Sequence, residues 1–107
     1  MSYHSQVAIA IDSKVFENTP DKVKEAFNAV FTAPTAFDEH RVLFHELSLK
    51  WYGDYPIDSN VEIITEYLDT LNDEDYGMIV LSEDEDEIFV GNPWKFGIHY
   101  NLYIDFK

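Results

Sequence analysis

Two helix-start signatures set among alternating strands constrain this chain more than any other feature. Thr19-Pro20-Asp21 places Thr at an N-cap, Pro at the first helical position and Asp in the first turn. Val23, Ala26, Phe27, Val30 and Phe31 follow at helical spacing, and Pro34 stops the run. The pattern predicts a helix near 20–32. Ser59-Asn60-Val61-Glu62 is a capping box that opens a second helix near 59–72, with Val61, Ile64, Leu68 and Leu71 on its apolar face.

Strands are expected around these helices. Residues 6–12 alternate, with Val7, Ile9 and Ile11 on one face and Ala8 and Ala10 on the other. Residues 41–52 alternate Val42, Phe44 and Glu46 against Leu43, His45, Leu47, Leu49 and Trp51. A short apolar strand covers 76–81, with Ile88-Phe89-Val90 as its continuation past an acidic run. The last strand, 96–106, sets Phe96, Ile98, Tyr100, Leu102, Ile104 and Phe106 against Gly97, His99, Asn101, Tyr103 and Asp105. The order β-α-β-α-β-β predicts an α+β, two-layer domain spanning 1–107. Its sheet is expected to be four-stranded and mainly antiparallel, with both helices on one face and the final strand pair a hairpin.

Charge decides which partners are plausible. Seven Lys and Arg against 21 Asp and Glu give a net charge of −14. That balance repels nucleic acid and anionic membrane surfaces, so neither is an expected partner. The charge is also one-sided. Residues 1–53 hold seven acids and five bases, and residues 54–107 hold fourteen acids and two bases. A field concentrated in one half points toward something positive. The longest unbroken apolar run, Val7 to Ile11, is too short for a membrane span or a signal-peptide core, and Cys is absent. A soluble, cytoplasmic protein is expected.

The sequence carries no recognised catalytic signature. Gly-x-Ser-x-Gly and a thiol nucleophile are both missing, and the four glycines are too scattered to cradle a phosphate. His40 and His45, with Asp38, Glu39 and Glu46 nearby, fall short of zinc-ligand spacing. A calcium-loop count from Asn72 puts Gly77 at position six and Glu83 at position twelve, but Tyr76 occupies a ligand position. The expectation is a protein without enzymatic activity, cofactor or defined metal site.

The acidic residues carry the strongest functional signal. Glu62, Glu66, Asp69 and Asp73 recur at i, i+4, i+7 and i+11, a spacing that aligns four carboxylates opposite the core face of the second helix. No Lys or Arg occurs between residues 51 and 94, so like charges stand where ion pairs are usual. Asp73, Glu74 and Asp75 are expected at the helix C-terminus, where the macrodipole disfavours anions. Glu83, Asp84, Glu85, Asp86 and Glu87 then form an unbroken acidic run. Repeated conflicts of one sign mark function. A rigid carboxylate array can occupy the Lys/Arg groove that a nucleic-acid backbone would fill. An alternative surface consists of the aromatics Trp51, Tyr52, Tyr55 and Trp94, with acidity serving solubility. A further alternative is a small metal-dependent enzyme that uses the acidic cluster.

The words Lys50-Trp51-Tyr52-Gly53-Asp54-Tyr55-Pro56, Tyr67-Leu68-Asp69, Glu74-Asp75-Tyr76-Gly77-Met78-Ile79 and Glu83-Asp84-Glu85-Asp86 resemble small acidic bacteriophage accessory proteins of unassigned function. The similarity covers about the C-terminal half. It implies an inhibitor acting in the host cytoplasm on a basic host protein such as a defence nuclease, a CRISPR effector or a polymerase. It transfers no catalytic residue.

Overall fold

The computed structural model describes residues 5–49, 59–82, 87–100 and 104–106. Strand β1 (Ser5–Asp12) leads into a short helix α1 (Ser13–Glu17), then α2 (Asp21–Phe31), β2 (Ala36–Phe37) and β3 (Arg41–Leu49). Helix α3 (Ser59–Leu68) precedes β4 (Tyr76–Ser82) and β5 (Glu87–Gly91). A 3-10 turn (Pro93–Phe96) and strands β6 (Ile98–Tyr100) and β7 (Ile104–Phe106) follow. The fold is α+β, as expected, but the main sheet has five strands in the order β2-β3-β1-β4-β5, all neighbours antiparallel.

Two strand assignments are corrected and one short strand is added. Ile88-Phe89-Val90 does not extend β4; it reverses and pairs with it, Ile79 opposite Phe89. The expected strand 96–106 is not one strand and does not join the main sheet. Its alternating residues divide among the 3-10 turn, β6 and β7, and the last two pair only with each other. Pro93 lacks a donor N–H and has a fixed φ, which suits the start of the 3-10 turn. Gly97 supplies the left-handed conformation (φ 77°) that ends it. The two-residue β2 was not anticipated. In β3, residues 41–49 form the strand, while the remainder of the expected segment lies outside the described residues.

Both faces of the sheet are packed. Val7, Ile9, Ile11, Val42, Phe44, Met78 and Val80 face the helices, joined by Val23, Ala26, Phe27 and Phe31 of α2 and by Val61, Ile64 and Leu68 of α3. Val15 and Phe16 of α1 pack on the same cluster, so all three α-helices cover one face. Phe27 stacks on Phe44 with ring centroids 4.6 Å apart, and Phe16 and Phe31 close round that pair. On the opposite face Ala8, Ala10, Leu43 and Ile79 are covered by Phe96 and Ile98. The expected two layers are therefore supplemented by a thin third element, the 3-10 turn and β6. Small residues allow it to sit close: a Cβ added at Gly77 would collide with the Pro93 backbone.

The first helix start is also corrected. Pro20, not Thr19, occupies the N-cap of α2 and makes no side-chain cap bond. Thr19 is buried instead, bonded from Oγ1 to the Val15 carbonyl at 3.0 Å and paired with the Tyr67 hydroxyl at 2.8 Å. Those two contacts fasten the α1–α2 junction to α3. The side-chain cap is used one helix earlier, where Asp12 Oδ1 accepts from the amides of Lys14 and Val15. Beyond α2, Thr32 takes φ 69° and ψ −56°, and the Ala33 amide donates to the Phe31 carbonyl at 2.7 Å. This is a γ-turn of the positive-φ kind, strained for a β-branched residue.

Candidate functional site

Helix α3 ends at Leu68, short of the expected residue 72. Asp69 and Thr70 are weak helix formers, and the hydrogen-bond ladder tightens there. The Asp69 amide still reaches Thr65 O at 3.1 Å, but the amides of Thr70 and Leu71 reach back only three residues, to Tyr67 and Leu68. Thr70 Oγ1 competes for the same Tyr67 carbonyl at 2.6 Å. The expected four-carboxylate helical stripe is thus divided. Glu62 and Glu66 stand on α3, Asp69 is the first residue past it, and Asp73 belongs to the turn that leads to β4.

All four remain exposed, as does Glu74, while Asp75 is half-buried. With the helix ending at Leu68, Asp69 stands at its unfavourable C-terminal dipole, whereas Asp73, Glu74 and Asp75 lie beyond it. The turn itself is firmly held. Asp75 N donates to Asn72 O at 2.9 Å, and Asp12 N donates to Asp75 O at 2.9 Å, anchoring the acidic turn to the end of the central strand. Lys95 Nζ donates to the Glu74 carbonyl at 2.9 Å. Among the described residues no Lys or Arg is ion-paired with the carboxylates of residues 62–75. Burial raises the Tyr76 pKa, and the negative charges of Asp73 and Asp69 raise it further, which brings both carboxylates within electrostatic reach of the phenol.

Glu87 opens β5, whereas Glu83, Asp84, Glu85 and Asp86 lie outside the described residues. Of the four aromatics in the alternative surface, Trp51, Tyr52 and Tyr55 also lie outside them. Trp94 is 52% exposed and meets Phe89, itself 42% exposed, edge-on at 5.5 Å between centroids. Phe89 was not singled out in the sequence, because its exposure follows from β5 turning back to become the sheet edge.

His40 and His45 sit in different surroundings. His40 sits in an exposed turn, and its amide and that of Arg41 donate to Asp38 Oδ1 at 2.7 and 2.9 Å. These bonds hold the Asp38 carboxyl below its ordinary pKa. His45 is half-buried in β3, its Nε2 lies 3.1 Å from Gln6 Oε1, and desolvation lowers its pKa. Among the described residues no group of three or more His, Asp or Glu side chains is placed to hold a metal ion. Gly77, the hinge of the calcium-loop count, is an internal residue of β4. His99 and Asp105 are register partners across β6 and β7; Asn101 and Tyr103 lie outside the described residues. No described helix is long and apolar enough to cross a membrane.

A second concave region escaped the sequence reading. A groove of about 800 Å3 is lined by Asp12, Lys14, Asp38, Glu39, Arg41 and Lys95, among others. Residues 12–14, 38–41 and 95 are far apart in the chain; the β1–β3 pairing sets Asp12 opposite Arg41, and α1 and the 3-10 turn add Lys14 and Lys95. No protein-family model, curated protein or solved structure matches this chain significantly.

Proposed function

We propose that this protein is a non-enzymatic binding protein whose carboxylate-rich surface engages a basic, nucleic-acid-binding site on a host protein, as a phage-type inhibitor that imitates nucleic acid. The observation that carries this reading is the exposed set Glu62, Glu66, Asp69, Asp73 and Glu74, held on a helix and a hydrogen-bonded turn without compensating ion pairs among the described residues. Carboxylates fixed in this way keep their field directed outward, where Lys and Arg of a partner supply the missing charge. The acidic run from Glu83 to Glu87 adds to the same half of the sequence. The target class is a defence nuclease, a CRISPR effector or a polymerase.

The test is charge reversal at Glu62, Glu66, Asp69 and Asp73 to Lys. All four side chains are exposed, so circular dichroism should remain unchanged. Affinity for a basic partner recovered from host lysate should collapse, and wild-type affinity should fall steeply with salt and be competed by duplex DNA or RNA. Reversal of Glu17 and Glu25, also exposed, serves as the control. Normal binding by a folded quadruple variant would sink the proposal.

A second reading rests on the exposed Trp94–Phe89 pair, an aromatic anchor of the kind that dominates protein interfaces. Salt-insensitive binding that is lost on Trp94→Ala would select it.

A further inference from the structure

The groove beside the acidic turn has its own composition. It takes in Lys14, Arg41 and Lys95, three of the seven Lys and Arg residues in a chain of net charge −14. Two of its carboxylates each have one oxygen engaged. Asp12 Oδ1 caps α1, and Asp38 Oδ1 receives two backbone amides. Arg41 is 8% exposed and donates from Nη1 to the Phe96 carbonyl, which fixes its cation in the groove wall. Lys95 uses one ammonium proton on Glu74 O and has two further donors. The Lys14 ammonium makes no hydrogen bond or ion pair among the described residues.

A second hollow of about 490 Å3 adjoins the first and shares Lys14, Asp38 and Glu39 with it. Its far wall is Phe37, which is 66% exposed, the most exposed large apolar side chain among the described residues. The smaller hollow thus sets an open phenyl ring beside Lys14, Asp38 and Glu39, and the larger adds Arg41 and Lys95 to those same three residues. An exposed aromatic face, hydroxyl acceptors and ammonium and guanidinium donors are the groups that take a base, a sugar and a phosphate. Each volume by itself falls in the ordinary range of small-molecule sites.

We infer that this double groove binds a free mononucleotide, the base on Phe37, the ribose hydroxyls at Asp38 and Glu39, and the phosphate at Lys14, Arg41 and Lys95. This site shares none of the carboxylates invoked for partner binding. The two readings therefore stand or fall separately.

The experiment is an amide chemical-shift titration of the full chain with AMP, adenosine, ribose 5-phosphate and inorganic phosphate, each to about 10 mM, a range that captures millimolar dissociation constants. AMP should move the amides of residues 12–14, 37–41 and 95–97. It should bind about tenfold more tightly than adenosine or ribose 5-phosphate, since each lacks one anchoring group. Phe37→Ala should weaken AMP about tenfold through loss of stacking, with Phe37→Tyr restoring it. Lys14→Glu should weaken AMP and ribose 5-phosphate but not adenosine. Lys22→Glu, an exposed site on α2, should leave all four titrations unchanged. The quadruple Lys variant at residues 62, 66, 69 and 73 should retain AMP binding. Absence of shifts with AMP, or equal shifts with phosphate alone that persist in Phe37→Ala, would overturn the inference.

Discussion

The two faces of the central sheet solve one problem in different ways. Toward the helices β1 presents Val7, Ile9 and Ile11, and a layer of phenylalanines fills the gap to α1 and α2. Toward the 3-10 turn it presents Ala8 and Ala10, and β4 adds Gly77 directly under Pro93. Large residues hold a helix at its natural packing distance; small ones let irregular backbone rest almost on the sheet. The first face depends on volume being present, the second on volume being absent.

Opposite substitutions separate the two dependences. Phe27→Ala should have the largest effect, a loss of about 3–5 kcal/mol, because Phe27 is fully buried among three other rings. Urea unfolding measures it. Gly77→Ala should cost about 1–3 kcal/mol for the reverse reason, since the added methyl must displace Pro93. Trp94 follows Pro93, so its fluorescence should change in the folded Gly77→Ala protein and stay the same in Phe27→Ala. Equal spectral changes in both variants would show that the faces are not independent. Tyr67→Phe should cost about 1 kcal/mol by leaving Thr19, which is buried, with one partner fewer.

The smallest effect concerns pH. Desolvation holds the His45 pKa below 6.5, so the folded state favours the neutral ring. Its contribution is present above the unfolded pKa and is lost as pH falls from about 6.5 through the folded value. Stability should decline over that window, and His45→Gln should flatten the decline. Asp38 acts by the same sign at lower pH: its lowered pKa stabilises above about 3.9 and is lost on further acidification.

The helix face was legible in the sequence because periodicity reports it directly. Val23, Ala26, Phe27 and Phe31 recur at helical spacing, and each is buried on α2. The Val7–Ile11 alternation likewise separates two faces that the packing keeps separate. The other cover was not legible. Residues 96–106 alternate as one long strand would, and alternation cannot distinguish a strand from a hairpin bent over a sheet. The exposure of Glu62, Glu66, Asp69, Asp73 and Glu74 was readable, since charge predicts solvation, but the length of α3 was not. Asp69, Thr70 and the tightening hydrogen bonds after Leu68 decide it locally. The groove was invisible because it joins Lys14, Arg41 and Lys95 through long-range contacts, with the Arg41–Phe96 bond spanning 55 residues.

The position of β1 at the centre of the sheet also has a consequence in time. Its two neighbours are residues 41–49 and 76–82, so the first strand to be synthesised is completed by segments made much later. Sheets assembled from such distant pairings fold in milliseconds to seconds rather than microseconds. At about 5–20 residues per second, β1 leaves the ribosome roughly 4–14 s before β4 is complete. Throughout that interval Val7-Ala8-Ile9-Ala10-Ile11 is an apolar, strand-forming segment without its mates. The early chain carries only a slight excess of acid, and the heavy negative charge arrives with the later residues. Residues 54–107, with fourteen acids and two bases, add mutual repulsion between chains only after that strand has emerged.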